Sequence, residues 1–323
     1  MASRYEQLNY LQDYDLNLKE KLGQHLLIDT ELLKKIGKMV IPGAKVIEIG
    51  SGPGNLTEQI AQHANKVYAI EIDSQYTEIL SDLANLSKNV HVIIGDALRV
   101  DMMSLVDKHS ERPTQIIANI PYHISEPLLK KLTQFPIEEA LLMVGDNLGT
   151  TLQITNPQDD HFTRSSLIAQ TYFEVEQIAK LSKDAFFPSP RTESIMIRLI
   201  PKQKFEMSYP STRIFRQLIE EGSKISVEKI LKSALVTGTK TTNLPKKDSN
   251  RKERRDLHRE LRDLRDSYRA GIFNEEQERY ITPPLERISL SEQILRSRFT
   301  ALGNDDLRQL VTAVKNLYPD LYK

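Results

Sequence analysis

The sequence contains no cysteine among its 323 residues. That excludes a disulfide framework, a thiolate metal site and a thiol nucleophile. It has no apolar run approaching the ~20 residues that cross a bilayer as a helix. It also lacks a charge bias: 44 basic residues balance 44 acidic ones, so any surface for a polyanion must be a local patch. The N-terminal stretch carries Arg4, Glu6, Asp13, Asp15 and Glu20 among tyrosines and leucines. It therefore has neither the apolar core of a signal peptide nor the acid-poor character of a transit peptide. These absences lead to the expectation of a soluble, cytoplasmic protein. A hydrophobic content of 39% is enough to bury a normal core in two domains, or in one large domain with an appendage.

What is present is a regular alternation. Between Lys45 and Leu199, short β-rich apolar runs at Val46–Ile49, Lys66–Ile72, Val90–Ile94, Gln115–Ala118, Ala140–Val144, Phe173–Ile178 and Ser194–Ile200 are separated by helical stretches. This pattern predicts an α/β fold with a doubly wound parallel sheet, the last two runs adding an antiparallel edge. Ligands of such sheets sit beyond the carboxyl ends of the strands. Ahead of the sheet, Leu32, Leu33, Ile36 and Val40 predict an amphipathic helix capped by Asp29 or Thr30. After Pro201 the pattern becomes helical, with Ile214, Leu218 and Ile219 on one face, Ile230 and Leu231 in the next helix, and a last helical segment from Ile288 to Tyr322. The expected division is 1–203 for the α/β domain and 204–323 for an all-helical domain.

Two motifs carry chemistry. Glu48-Ile-Gly-Ser-Gly-Pro-Gly-Asn-Leu56 follows the first strand and opens a helix, where Gly50, Gly52 and Gly54 let the backbone turn sharply and approach a ligand. The dinucleotide fingerprint would have a third glycine where Asn55 stands, so the loop favours an adenosyl amino acid over NAD. Glu71, ending the second strand, is placed to accept the ribose hydroxyl protons. Asp96, in Gly95-Asp-Ala97 after the third strand, is placed to accept from an adenine amino group. The alternative reading is a glycine turn in another α/β protein, with the acids as helix caps.

The second motif, Asn119-Ile-Pro-Tyr-His123, follows the fourth strand. The lone pair of an exocyclic amino group is delocalised into its ring and attacks poorly. The Asn119 amide oxygen and the main-chain carbonyl near Pro121 can each accept one of its hydrogens, drawing electron density onto nitrogen, and Tyr122 can stack on the base. The base must leave its stem or loop to reach such a pocket, and Phe187 in Phe186-Phe-Pro-Ser-Pro190 could close its other face. A proline turn with a packed tyrosine, and a core Phe-Phe pair, are the plain alternatives.

At these residues the sequence resembles the ribosomal RNA adenine dimethyltransferase family, which includes the small-subunit dimethyladenosine transferases and the macrolide-resistance large-subunit adenine N6-methyltransferases. The likeness runs from about Gly23 to Pro201 through Leu22-Gly-Gln-His-Leu, the glycine loop, Ala69-Ile-Glu-Ile-Asp73, Gly95-Asp-Ala-Leu98, Asn119-Ile-Pro-Tyr-His and Phe187-Pro-Ser-Pro. It implies a Rossmann-like class I methyltransferase sheet, S-adenosylmethionine as methyl donor and a helical C-terminal domain that contributes to RNA binding. It implies Asn119, Pro121 and Tyr122 as the catalytic loop and Phe187 as the opposing aromatic wall. The implied cofactor contacts are Gln24, His25 and Leu26 near the methionine end, then Glu48, Gly50, Gly52, Gly54, Asn55, Leu56, Glu71, Ile72, Asp96, Ala97 and Asn119. Ribosomal RNA or a ribosomal subunit is the implied partner of a monomer that uses no metal.

Two features depart from that pattern. Met143-Val-Gly-Asp-Asn-Leu-Gly149 stands where members carry a glutamine-x-glutamate-like helix start. The C-terminal part also holds a basic insertion near 237–285, densest at Arg251-Lys-Glu-Arg-Arg255. Its mixed charges at i,i+3 and i,i+4 spacing suit a solvated helix, and the alternative is an arm on the RNA backbone. A family member acting mainly as a transcription or ribosome-assembly factor, or methylating a different acceptor, is the rival function.

Overall fold

The computed structural model describes residues 17–19, 23–106, 112–120, 124–202, 210–233 and 288–317. Pro121, Tyr122 and the basic insertion near 237–285 lie outside the described residues. The chain clusters into two compact units, one of residues 1–153 and 172–201, the other of 154–171 and 202–323.

In the first unit the elements run β1 (Leu26–Leu27), α1 (Thr30–Gly37), β2 (Lys45–Ile49), α2 (Asn55–Ala61), β3 (Lys66–Glu71), α3 (Thr77–Leu86), β4 (Val90–Ile94), β5 (Thr114–Asn119), α4 (Ser125–Leu132), β6 (Glu139–Gly145), α5 (Asp146–Gln153), β7 (Phe173–Leu181), β8 (Phe186–Phe187) and β9 (Ser194–Pro201). Seven strands form one sheet in the order β4-β3-β2-β5-β6-β9-β7, and β1 pairs only with β8. The first five of these strands are parallel, and β9 and β7 are antiparallel. All seven predicted strands are present, as is the predicted antiparallel edge.

The central strands are mostly apolar because helices cover both faces. Val46, Ile47, Ile116, Ile117, Ala118 and Ala140 have no exposed surface, as expected for strands buried on two sides. The edge strand β7 instead alternates, with Glu174, Glu176 and Gln177 outward. Helix α1 begins at Asp29, whose Oδ1 accepts from the N–H groups of Glu31 and Leu32 at 3.1 and 3.0 Å, and it buries Leu33 and Ile36.

Gly54 sets the entry to α2. Its φ is +96°, and a Cβ there would lie 2.7 Å from Leu83 Cδ2 and 3.3 Å from Leu80 Cδ2. The positive φ therefore requires glycine, and a Cβ would also press on leucine methyl groups that have to turn aside. Gly54→Ala should cost about 1–3 kcal/mol of stability, read as a lower denaturation midpoint. An unchanged midpoint would show that α3 can shift freely away from this loop.

In the second unit the elements are α6 (Arg164–Tyr172), α7 (Pro210–Glu221), a helical stretch at 227–233, α8 (Glu292–Arg296) and α9 (Asn304–Leu317). Ile214, Leu218, Ile219, Ile230 and Leu231 are buried, as are Leu307, Leu310, Val311 and Val314 of α9. Residues 154–171 lie between β6 and β7 in sequence yet group with these helices, whereas the sequence placed a single boundary near 203. Polar ties explain the grouping. Arg164 Nη1 donates to Leu302 O at 2.9 Å, Arg308 Nη1 to Asp160 O at 2.6 Å and Lys315 Nζ to Thr155 O at 3.0 Å. Among the described residues, no helix is long and apolar enough to cross a membrane.

Candidate functional site

The carboxyl ends of β2, β3, β4 and β5 open onto one cavity. Its floor is the glycine loop after β2. Gly50 and Ser51 donate their N–H groups to Ile70 O at 2.9 and 3.3 Å, pinning the loop to β3. Gly50 and Gly52 have φ of +77° and +55°, and a Cβ on Gly52 would meet no atom within 4 Å. The bend thus leaves open space over the backbone, which a ligand can fill. Ser51 is buried, lines the cavity and has a hydroxyl with no hydrogen-bond partner among the described residues. A buried polar atom of this kind is suited to a polar ligand. Asn55 and Leu56 also line the cavity. Gly54 does not; its lack of a side chain serves the contact with α3.

Glu71 ends β3 with its carboxylate over the loop. Oε2 accepts from Gly52 N at 2.7 Å and Oε1 from Asp73 N at 2.9 Å. The two bonds fix the carboxylate and leave each oxygen further acceptor capacity. Ile72 lines the same cavity while 56% exposed, an apolar wall of the kind a flat ring covers. Asp96 and Ala97 line it from the loop after β4, where Asp96 Oδ1 accepts from Leu98 N at 2.8 Å. Lys131 Nζ on α4 donates to Ala97 O and Val100 O, both at 2.7 Å, and so tethers this loop to the helix that follows the acceptor motif. Neither Lys131 nor Ser51 stood out in the sequence. Ser51 was flagged only by its place between two loop glycines, and Lys131 by nothing local.

The remaining wall comes from the chain ahead of β1. Gln24, His25 and Leu26 line the cavity. Asp73, quoted in the sequence as part of a motif but given no role, is buried and holds this segment: it accepts from Lys19 Nζ at 2.8 Å and from Gln24 Nε2 at 2.9 Å. Burial pushes its carboxyl up, but the bonds from Lys19, Gln24 and Gln75 outweigh this and hold its pKa below the usual value. At the end of β5, Asn119 Nδ2 donates to His25 O at 2.9 Å. A smaller cavity, lined by Gly145, Phe186, Pro190 and Ser194, shares His25 and Asn119 with the first. Asn119 therefore stands where the two meet. Phe187 is 42% exposed and borders neither cavity among the described residues, and Gly145 of the departing segment borders the smaller one.

Two buried carboxyls, Glu48 and Glu71, line the cavity. Burial raises the pKa of Glu71. Glu48 is fully buried and its pKa is pushed up to about 8, chiefly by burial and further by Glu71, against a 2.6 Å hydrogen bond from Thr57 Oγ1. The folded chain therefore keeps the Glu48 proton through a pH range in which the unfolded chain has released it. Stability from this group is complete below its ordinary pKa of 4.5 and is lost as pH rises through about 8. Glu48→Gln should unfold at a temperature above that of the wild type at pH 8.5, with the gap closing toward pH 5. A gap that does not change with pH would contradict the raised pKa.

A model of the family described as ribosomal RNA adenine dimethylase matches residues 15–253. The chain is 34% identical over 200 residues to a protein of Staphylococcus epidermidis named ribosomal RNA small subunit methyltransferase A, a match covering 60% of this chain and 67% of the relative. A protein of Alkaliphilus metalliredigens with the same name is 35% identical over 205 residues, covering 61% and 71% of the two chains. A solved dimethyladenosine transferase from Plasmodium falciparum has a TM-score of 0.55 at 21% identity, covering 91% of this chain and 98% of that one. The 23S rRNA methyltransferase ErmE has a TM-score of 0.50 at 16% identity, covering 90% and 99%. These two structures speak to the fold, a Rossmann-like class I methyltransferase sheet.

Proposed function

The chain belongs to the ribosomal RNA adenine dimethylase family, and on that footing we propose that it methylates N6 of an adenine in ribosomal RNA where its two cavities meet. One observation carries the reading: the Asn119 amide, its nitrogen held by His25 O, stands on the wall common to both. A carbonyl can only accept, so the amide must turn its nitrogen to His25 and keep its oxygen for another donor. An adenine amino group in the smaller cavity is such a donor.

S-adenosylmethionine, when bound, supplies an electrophilic methyl group carried on a positively charged sulfur. The residues present fit it. Glu71 offers acceptors for two ribose hydroxyls, Ile72 an apolar face for the adenine and Asp96 an acceptor for its amino group. The open backbone at Gly52 and the unpartnered Ser51 hydroxyl face the same cavity. Gln24, His25 and Leu26 close the methionine end. Asn119 Oδ1 accepts one N6 hydrogen of the target and so moves electron density toward the nucleophilic nitrogen. The Pro121 carbonyl, Tyr122 and Phe187 complete the grip on the base in this reading. The rate comes from proximity, orientation and this fixed dipole.

The test is transfer of labelled methyl from S-adenosylmethionine to purified ribosomal subunits and to naked rRNAs. Label in RNA is the expected result. Cofactor and RNA binding without any label in RNA would replace the enzyme by a binding factor.

A further inference from the structure

The ring of His25 has a partner on the opposite side of the site from the cofactor cavity floor. Its Nδ1 lies 2.7 Å from Pro188 O, while its main-chain oxygen receives the Asn119 amide. The pairing of β1 with β8 explains why a side chain is needed here. Leu27 pairs with Phe186 and Leu26 with Phe187, which places His25 opposite Pro188. Proline has no N–H, so Pro188 cannot donate to the His25 carbonyl, and the Asn119 amide nitrogen meets that acceptor instead. At the other end the chain is firmly tied, Ile28 N and Asp29 N both donating to Ala185 O at 2.8 and 3.2 Å. The Pro188 carbonyl is in turn met by the imidazole, so side chains close this end of the pairing on both sides.

Building on the methyltransferase reading, we propose that His25 is a positioning residue, whose ring holds the Phe187-Pro188 turn against the same main-chain segment that orients the Asn119 amide. The carbonyl of Pro188 only accepts, so Nδ1 carries the proton. The aromatic wall and the amide are thereby referred to one residue. On the methyltransferase reading, their separation sets the width available to a flat base. Cofactor contacts at Glu71, Ile72 and Asp96 rest on β3 and the loop after β4, so they do not depend on this ring.

Four variants test the assignment: His25→Leu, which removes the donor, His25→Asn, whose amide nitrogen falls near the imidazole Nδ1 position, Phe187→Ala, and His25→Leu combined with Phe187→Ala. Measured are kcat for methyl transfer to rRNA and the Kd for S-adenosylhomocysteine, which also reports that each variant is folded. His25→Leu should lose roughly 10- to 100-fold in kcat at saturating S-adenosylmethionine, the size of effect that a small misplacement produces, a larger factor than any change in Kd, which His25 can also affect because it lines the cofactor cavity. His25→Asn should recover most of the rate. The double variant should lose no more than the worse of its singles, because both act on one wall. Wild-type kcat in His25→Leu, beside an inactive Asn119→Ala, would overturn the positioning role while leaving the methyltransferase reading intact. A loss explained wholly by weaker cofactor binding would overturn it too. Absence of transfer by the wild-type protein would remove the reading and this inference together.

Discussion

Asn119→Ala is expected to lower methyl transfer at saturating cofactor by about a hundredfold to a thousandfold, the usual cost of deleting one preorganised polar group aimed at the reacting atom. S-adenosylhomocysteine should still bind within a few-fold of wild type, because the amide nitrogen is spent on His25 O and the main cofactor acceptors are on other strands. The substitution removes two things together: the oxygen that accepts from the target amino group, and the bond that fixes β5 to the segment ahead of β1. Rapid-quench single turnovers separate them from binding, since a defect confined to the chemical step appears as a slower burst with unchanged cofactor saturation. Near-normal turnover would mean that the amide is only a brace.

Glu71→Gln should act in the opposite way, raising Kd for the cofactor by roughly 10- to 100-fold, the loss of a hydrogen bond to a charged acceptor. The carboxylate already receives Gly52 N and Asp73 N. An amide in its place must turn an N–H toward one of those donors, so one bond to the glycine loop is lost and one acceptor for the ribose disappears. Turnover at saturating cofactor should stay close to wild type, because this binding is the same before and during transfer. A calorimetric Kd unchanged by the substitution would assign Glu71 to loop structure alone. The two variants thus divide the site into a part that holds the donor and a part that activates the acceptor.

The sheet was legible because its strands are short, mostly apolar runs with breaks between them, as at Val46–Ile49, Gln115–Ala118 and Ala140–Val144. The gathering of the glycine loop, Glu71 and Asp96 around one cavity was legible for a related reason: each stands at or just after the end of a strand, so the topology brings their positions together. What stayed hidden depends on contacts distant in sequence. Two-residue strands such as Leu26–Leu27 and Phe186–Phe187 have no periodicity to read. Gly54 reads as a third cradle glycine, and only the structure shows that its missing side chain also leaves room for Leu83. The roles of Asp73 and Lys131 are set by partners at Lys19, Gln24, Ala97 and Val100. The grouping of 154–171 with the helices rests on side-chain bonds to carbonyls well over a hundred positions away, which no local pattern records.

The measurement that bears most directly on the central claim is nucleoside digestion of rRNA labelled by the wild-type protein and by Asn119→Ala. The account predicts label in N6-methyladenosine or N6,N6-dimethyladenosine with the wild type and almost none with the variant. Label on a ribose, on another ring atom or on another base, or equal N6 labelling by both proteins, would contradict an acceptor site organised around Asn119.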